Sequence, residues 1–235
     1  MARITKDPEV RRNELLDVAF GLVQEVGYDV MSVEAVTSAA GVAKGTFYHY
    51  FASKEDLRFQ LLERLGAELH HAIASALGAQ PGSGAEQLQV FMDAAAAYKL
   101  GHFGQFMPLV FLYRRENESL RHRLHEAWAR STRELLVPII VTGIEDGSFS
   151  VTDADATADI LTTLWYQGAD RAWLRALEQP DARAFSEVLL RGADALQRAQ
   201  TRILGRPDGT ANIAVTPQMT AGLEQAYHQV KELRQ

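Results

Sequence analysis

Ser32-Val33-Glu34-Ala35-Val36-Thr37-Ser38-Ala39-Ala40-Gly41-Val42-Ala43-Lys44-Gly45-Thr46-Phe47-Tyr48-His49-Tyr50-Phe51 reads as two short helices meeting at a glycine. Ser32 is an N-cap residue, with Glu34 as the acid of the first turn. Val33, Val36 and Ala40 share the inner side of the first helix, Gly41 permits the sharp turn, and Val42 tucks back into the small core. The second helix runs from about Ala43 to His49 and divides its residues in two. Phe47 and Phe51 face inward, which leaves Lys44, Thr46, Tyr48 and His49 for a nucleic acid, while Gly45 lets the backbone come close. A helix of this size fits a major groove roughly 12 Å wide. Lys54 stands where the next helix opens, beside amides that attract phosphate.

The flanks supply the support such a motif needs. Pro8 suits the first turn of a helix to about Val26, with Leu15, Ala19, Leu22 and Val26 on one stripe and Gly27 as the stop. Ser53 with Asp56 has capping-box spacing and opens a long helix through Leu57, Leu61, Leu65 and Leu69 to about Leu77. Gln80-Pro81-Gly82-Ser83-Gly84 is the clearest break. Beyond it, helices are expected over 85–100, 106–115 and 119–144, the last with a turn kinked or loosened at Pro138. Two more follow, from the Thr152-Asp153 cap to Leu177 and from beyond Pro180 to Ile203. Gly205-Arg206-Pro207-Asp208-Gly209 is a linker, and Thr216-Pro217 an N-cap and N1 pair for a terminal helix. No segment alternates as a strand does, so the predicted class is all-α. Residues 1–54 form a helix-turn-helix domain, 55–204 a larger helical domain for ligand binding and dimerisation, and 205–235 a linker with a C-terminal helix.

Composition narrows the partners. The chain has 235 residues, 47% apolar and 23% charged, a net charge of −6 and no cysteine. That is enough apolar material for a core, and disulfide or thiolate chemistry is excluded. No apolar run approaches the roughly 20 residues of a membrane span, and no apolar stretch follows the first residues as in a signal peptide, so a cytoplasmic protein without membrane contact is expected. The acidic balance argues against indiscriminate coating of nucleic acid, yet permits a reader whose cations are confined to one face.

The run from Ser32 to Phe51, followed by Ser53-Lys54-Glu55-Asp56-Leu57, resembles the tetracycline-repressor (TetR) family of bacterial regulators. The resemblance covers roughly residues 10–60; beyond Leu69 only the helical layout and the Gly147-Ser148-Phe149 turn are similar. It implies three DNA-binding helices, a variable ligand and dimerisation domain, and a two-fold homodimer on a palindromic operator of double-stranded DNA. By position, Lys44, Gly45 and Thr46 resemble the family's base- and backbone-reading residues, Tyr48, His49 and Lys54 its phosphate contacts, and Ser32 a cap whose hydroxyl touches the DNA backbone. Three residues depart from the pattern. Glu34 and Ser38 stand where basic residues are frequent, and Ala43 replaces a hydroxyl cap, a loss of about 1 kcal/mol of helix stability. Few cations therefore face the DNA, and a modest salt dependence is expected, with Arg3, Lys6, Arg11 and Arg12 adding to the balance.

The larger domain carries aromatics at helical spacings, which most often fill a core but also suit an apolar pocket with a few orienting polar groups. The candidate ligand-binding residues are His102, Phe106, Phe111, Trp128, Trp165, Tyr166 and Asp170, for a small apolar or aromatic effector. His122 and His125 share a helical face, but Arg121 and Arg123 flank them and no cysteine or carboxylate completes a ligand set, so neither metal nor cofactor is expected. Two stripes suggest a dimer interface: Phe185, Val188, Leu189, Gly192, Leu196, Ala199 and Ile203, and Ile160, Leu164 and Gly168 before them. No nucleotide-binding glycine motif, P-loop lysine or nucleophile elbow is present, so no enzyme is expected. The leading expectation is a sequence-specific regulator, a repressor released from its operator by a ligand. The alternative is a helical DNA-organising or adaptor protein without ligand control.

Overall fold

The computed structural model describes residues 7–102, 107–207 and 217–233, and they form an all-α fold with no strand among them. The helices are α1 (Pro8–Val30), α2 (Val33–Ala39), α3 (Lys44–Tyr50), α4 (Lys54–Ala79) and α5 (Gly84–Gly101). They continue with α6 (Glu118–Glu145), α7 (Ala154–Ala176), α8 (Ala182–Ile203) and α9 (Pro217–Leu233). The chain divides into two compact units, Met1–Gly66 and Ala67–Gln235.

In the first unit, Asp7 caps α1 by accepting from the Glu9 and Val10 amides at 2.8 and 3.4 Å. Gly27 leaves helical geometry at φ 82°, as its place after the stripe predicts, but a last turn follows it to Val30. Leu15, Leu16, Val36, Phe47, Phe51 and Leu57 are fully buried and make the core. The first turns of α4, beyond the expected boundary at residue 54, are bonded to α1 within this unit. Arg12 donates to Gln60 at 2.9 and 2.6 Å, and Arg64 pairs with Asp17 at 2.6 Å.

In the second unit, α6 packs on α5 and α7, and α8 lies between α7 and α9. Gly84 and Gly143 let α5 and α6 touch: a Cβ on Gly84 would lie 2.3 Å from the Gly143 Cα. The helix expected near 106–115 is a 3-10 segment, Met107–Tyr113, followed by another over Arg115–Asn117. Side chains take its carbonyls: Asn117 donates to Phe111 O at 2.8 Å and Arg121 to Leu112 O at 2.7 Å. α6 runs unbroken through Pro138.

The stripe on α8 turns toward its own chain. Gly168 on α7 meets Leu196, Gly192 meets Ala172, and Phe185 and Leu189 are buried. These small residues therefore close α7 onto α8, and Ile160 is left 54% exposed on the outside of α7. The terminal helix joins this unit too: Tyr227 is buried, packs its ring on Phe185 at 5.6 Å and hydrogen-bonds the Pro180 carbonyl. The expected Thr216 cap lies outside the described residues.

Candidate nucleic-acid interface and ligand cavity

Side-chain and backbone bonds together hold α2 and its turn into α3. The Ala35 amide donates to Ser32 Oγ at 3.0 Å, and the buried Thr37 hydroxyl returns to the Val33 carbonyl at 3.0 Å. Gly41 takes φ 64°, which side-chain-bearing residues rarely adopt, and Val42 then donates to Thr37 O at 3.0 Å. α3 starts at Ala43 with no side-chain cap, as the alanine there predicts. Ser53 accepts from the Asp56 amide at 3.1 Å, while the Asp56 carboxylate reaches back to Ala52 N at 2.8 Å, one residue earlier than in a standard capping box.

Seating Phe47 and Phe51 in the core, ring centroids 5.3 Å apart, turns the rest of α3 outward. Lys44, Gly45 and His49 are exposed, Tyr48 is 50% exposed with its ring edge against Phe47, and Thr46 is half-buried. Lys54 is half-buried at the start of α4, and Ser32 is half-buried and occupied as the α2 cap. Nothing lies within 4 Å of a Cβ built on Gly45, so the protein's own packing makes no demand for glycine there. A bare backbone at this point fits an external surface that must come close.

The departure at Glu34 has a definite consequence. Its carboxylate pairs with Lys44 Nζ at 2.5 Å. The hydrogen bond to Lys44 holds the Glu34 carboxyl below its ordinary pKa and raises that of Lys44. Of the supplementary cations, Arg11 pairs with Glu14 at 2.8 Å and Arg12 is bonded to Gln60, while Arg3 and Lys6 lie outside the described residues.

Described residues of the second unit line a cleft and a smaller cavity. A cleft of about 930 Å³ is lined by Arg115, Arg121 and Arg171 together with Glu116, Glu118 and Glu126, charges that offset one another. Tyr166 and Asp170 lie on it, and Asp170 is paired with the buried Arg121 at 2.8 Å. A second cavity of about 340 Å³ is mainly apolar, with walls from Leu69, Ile73, Phe91, Trp165 and Leu196. Its size and lining are those of a small-molecule site. Trp165 and Tyr166 both line it; Trp165 donates to Gln200 Oε1 at 3.0 Å, and His70, Thr132 and Tyr166 form a chain of two 2.8 Å contacts. Burial pushes the Tyr166 hydroxyl up to about 12.

The other candidate ligand residues lie elsewhere. Phe111 is buried in the core, His102 stacks on Tyr98 at 4.1 Å, and Trp128 lies near His125 with ring centroids 6.4 Å apart. Phe106 lies outside the described residues. Among the described residues no group of three or more His, Cys, Asp or Glu side chains could hold a metal, and no helix is long and apolar enough to cross a membrane. Sequence reasoning missed Lys99, the one Lys, Arg, Asp or Glu among the residues that line the apolar cavity. A signal was present: Lys99 has Ala95 and Ala96 before it and His102 and Phe103 after it at helical contact spacing, so no acid on its own helix can pair with it.

Comparison with known proteins agrees with this arrangement. The sequence model of bacterial regulatory proteins of the tetR family matches residues 15–61, which span the helix-turn-helix and its supports. The transcriptional repressor DhaR of Mycobacterium sp. strain GP1 is 30% identical over 166 residues, covering 67% of this chain and 79% of the relative. The repressor KstR2 of Mycobacterium tuberculosis is 30% identical over 158 residues, 63% and 74% of the two chains. The fold is similar to that of a TetR-family transcriptional regulator from Pectobacterium atrosepticum, with a TM-score of 0.64 at 20% identity, covering 87% of this chain and all of that one. The chain belongs to the TetR family of transcriptional regulators.

Proposed function

We propose that the chain is a homodimeric repressor that reads a palindromic operator with α3 and is released when a small molecule enters the second unit. The outward face of α3 carries this reading: it combines exposed Lys44, Tyr48 and His49 with a glycine that internal packing does not require. In the bound state Lys44, Gly45 and Thr46 meet base edges and backbone, Tyr48, His49 and Lys54 meet phosphates, and Ser32 adds a contact at the α2 start. The mycobacterial relatives being repressors supports the direction of control. Ile160 and Leu174, exposed on α7, support an isologous contact between two copies.

Ligand control runs through α4. The helix crosses from the first unit into the second, where Leu69, His70 and Ile73 line the apolar cavity. A molecule held there favours one spacing of the two recognition helices, and half-sites about 34–36 Å apart tolerate little change. Retention of genomic duplex fragments in a gel shift tests the reading. A defined subset held at moderate salt is expected, and failure to hold any duplex at low salt sinks it. If the retained complex ignores every small molecule of a broad panel, the constitutive DNA-organising alternative replaces the ligand-controlled one.

A further inference from the structure

The apolar cavity has a chemical bias that its aromatic walls do not reveal. Its polar groups are largely committed to one another: Trp165 to Gln200, and His70, Thr132 and Tyr166 in a chain. Lys99 differs from them. It lines the cavity near the end of α5, and no ion pair joins it to any described residue. No carboxylate is among the lining residues, and the neighbouring segment 103–106, Phe-Gly-Gln-Phe, contains no acid in its sequence. The Lys99 side chain is exposed where it lines the cavity, and desolvation by the surrounding protein lowers its pKa. A lone cation beside apolar walls, with no ion-pair partner among the described residues, favours a ligand that brings an anion to it.

We infer that the cavity takes a carboxylic acid with an apolar body, its carboxylate on Lys99 and its hydrocarbon against Leu69, Ile73, Phe91 and Trp165. A neutral apolar molecule leaves the ammonium uncompensated, and an amine adds a like charge. The carboxylate forms a charge-assisted bond beside apolar walls, where such a bond is stronger than in open water. This inference rests on the reading of the second unit as a ligand domain, and names the class of ligand that reading leaves open.

The test is calorimetric titration of the full chain, without DNA, at neutral pH. Decanoate, 1-decanol and decylamine share a tail and differ in head group; 2-naphthoate and 2-naphthol repeat the comparison on a ring. Each acid is compared with its own alcohol, so the two series separate an aliphatic from an aromatic ligand. At least one acid is expected to bind about tenfold or more tighter than its alcohol. In Lys99→Met that preference disappears while alcohol binding persists, which shows an intact cavity. Lys99→Arg keeps the charge and the preference. Equal binding of acid and alcohol, unchanged acid affinity in Lys99→Met, or no binding of any probe overturns the inference. Lys99-dependent acid binding that leaves operator affinity unchanged supports the inference and defeats ligand control instead.

Discussion

Two lysines mark the two units, and they are held in opposite ways. Lys44, on the recognition helix, is exposed and already has a carboxylate partner in Glu34. Lys99, on the cavity wall, is exposed as well but has no ion-pair partner among the described residues. In water an exposed pair contributes little, so on the proposed reading DNA displaces Glu34 from Lys44 at small energetic cost. The Lys99 ammonium has no carboxylate among the residues that line the cavity with it. The outward face of α3 thus carries a paired cation, and the cavity wall carries one with no ion-pair partner among the described residues.

The largest way to break this contrast is Lys99→Met. Beyond losing acid preference by about tenfold or more, the variant is expected to melt at a higher temperature, because an unfavourable charge is removed. The pH dependence has a definite sign. The folded pKa of Lys99 lies below its unfolded value, so between the two the unfolded chain holds more protons and wild-type stability rises with pH. The excess stability of Lys99→Met is therefore greatest below the folded pKa and shrinks as pH rises through it. His70 and Tyr166, the other titratable groups among the lining residues, are present in both proteins. A variant that melts lower at neutral pH contradicts the assignment of Lys99 as an uncompensated charge.

Glu34→Gln is the next step down. It releases Lys44, so non-specific duplex affinity is expected to rise by about two- to fivefold. The slope of log affinity against log salt steepens by about one. Titrations at several salt concentrations check both, and an unchanged slope shows that Glu34 does not restrain the lysine. The smallest effect is that of Gly45→Ala. With open space around the added Cβ and helical backbone at this position, the first unit gains at most about 0.5–1 kcal/mol in denaturant unfolding. Operator affinity falls in the same variant; retained affinity means that close backbone approach is not used.

The recognition unit was legible in the sequence because its logic is local. Cap, glycine turn and aromatic anchors sit within 20 residues of one another, and each has a short-range physical requirement. The cavity assembles Leu69, Phe91, Lys99, Trp165 and Gln200 from four helices, α4, α5, α7 and α8, and no spacing along the chain announces that meeting. Aromatic spacing could not separate Trp165, on the cavity wall, from Phe111, in the core, since both bury apolar surface. The α8 stripe was visible as a stripe, but that it faces its own chain is seen in the meetings of Leu196 with Gly168 and of Gly192 with Ala172. Lys99 left the clearest trace that went unread, a lysine after four alanines and a tyrosine with no acid within helical reach.

The central claim is that the outward face of α3 reads DNA while its inward face holds the fold. The most direct measurement is a fluorescence-anisotropy titration of a retained duplex with wild type and with the Lys44→Ala/Tyr48→Phe double variant, each checked for helicity and melting temperature. The account predicts unchanged folding and an affinity loss of about 1–3 kcal/mol, roughly ten- to a hundredfold. A double variant that folds like wild type and binds the duplex with the same affinity contradicts it.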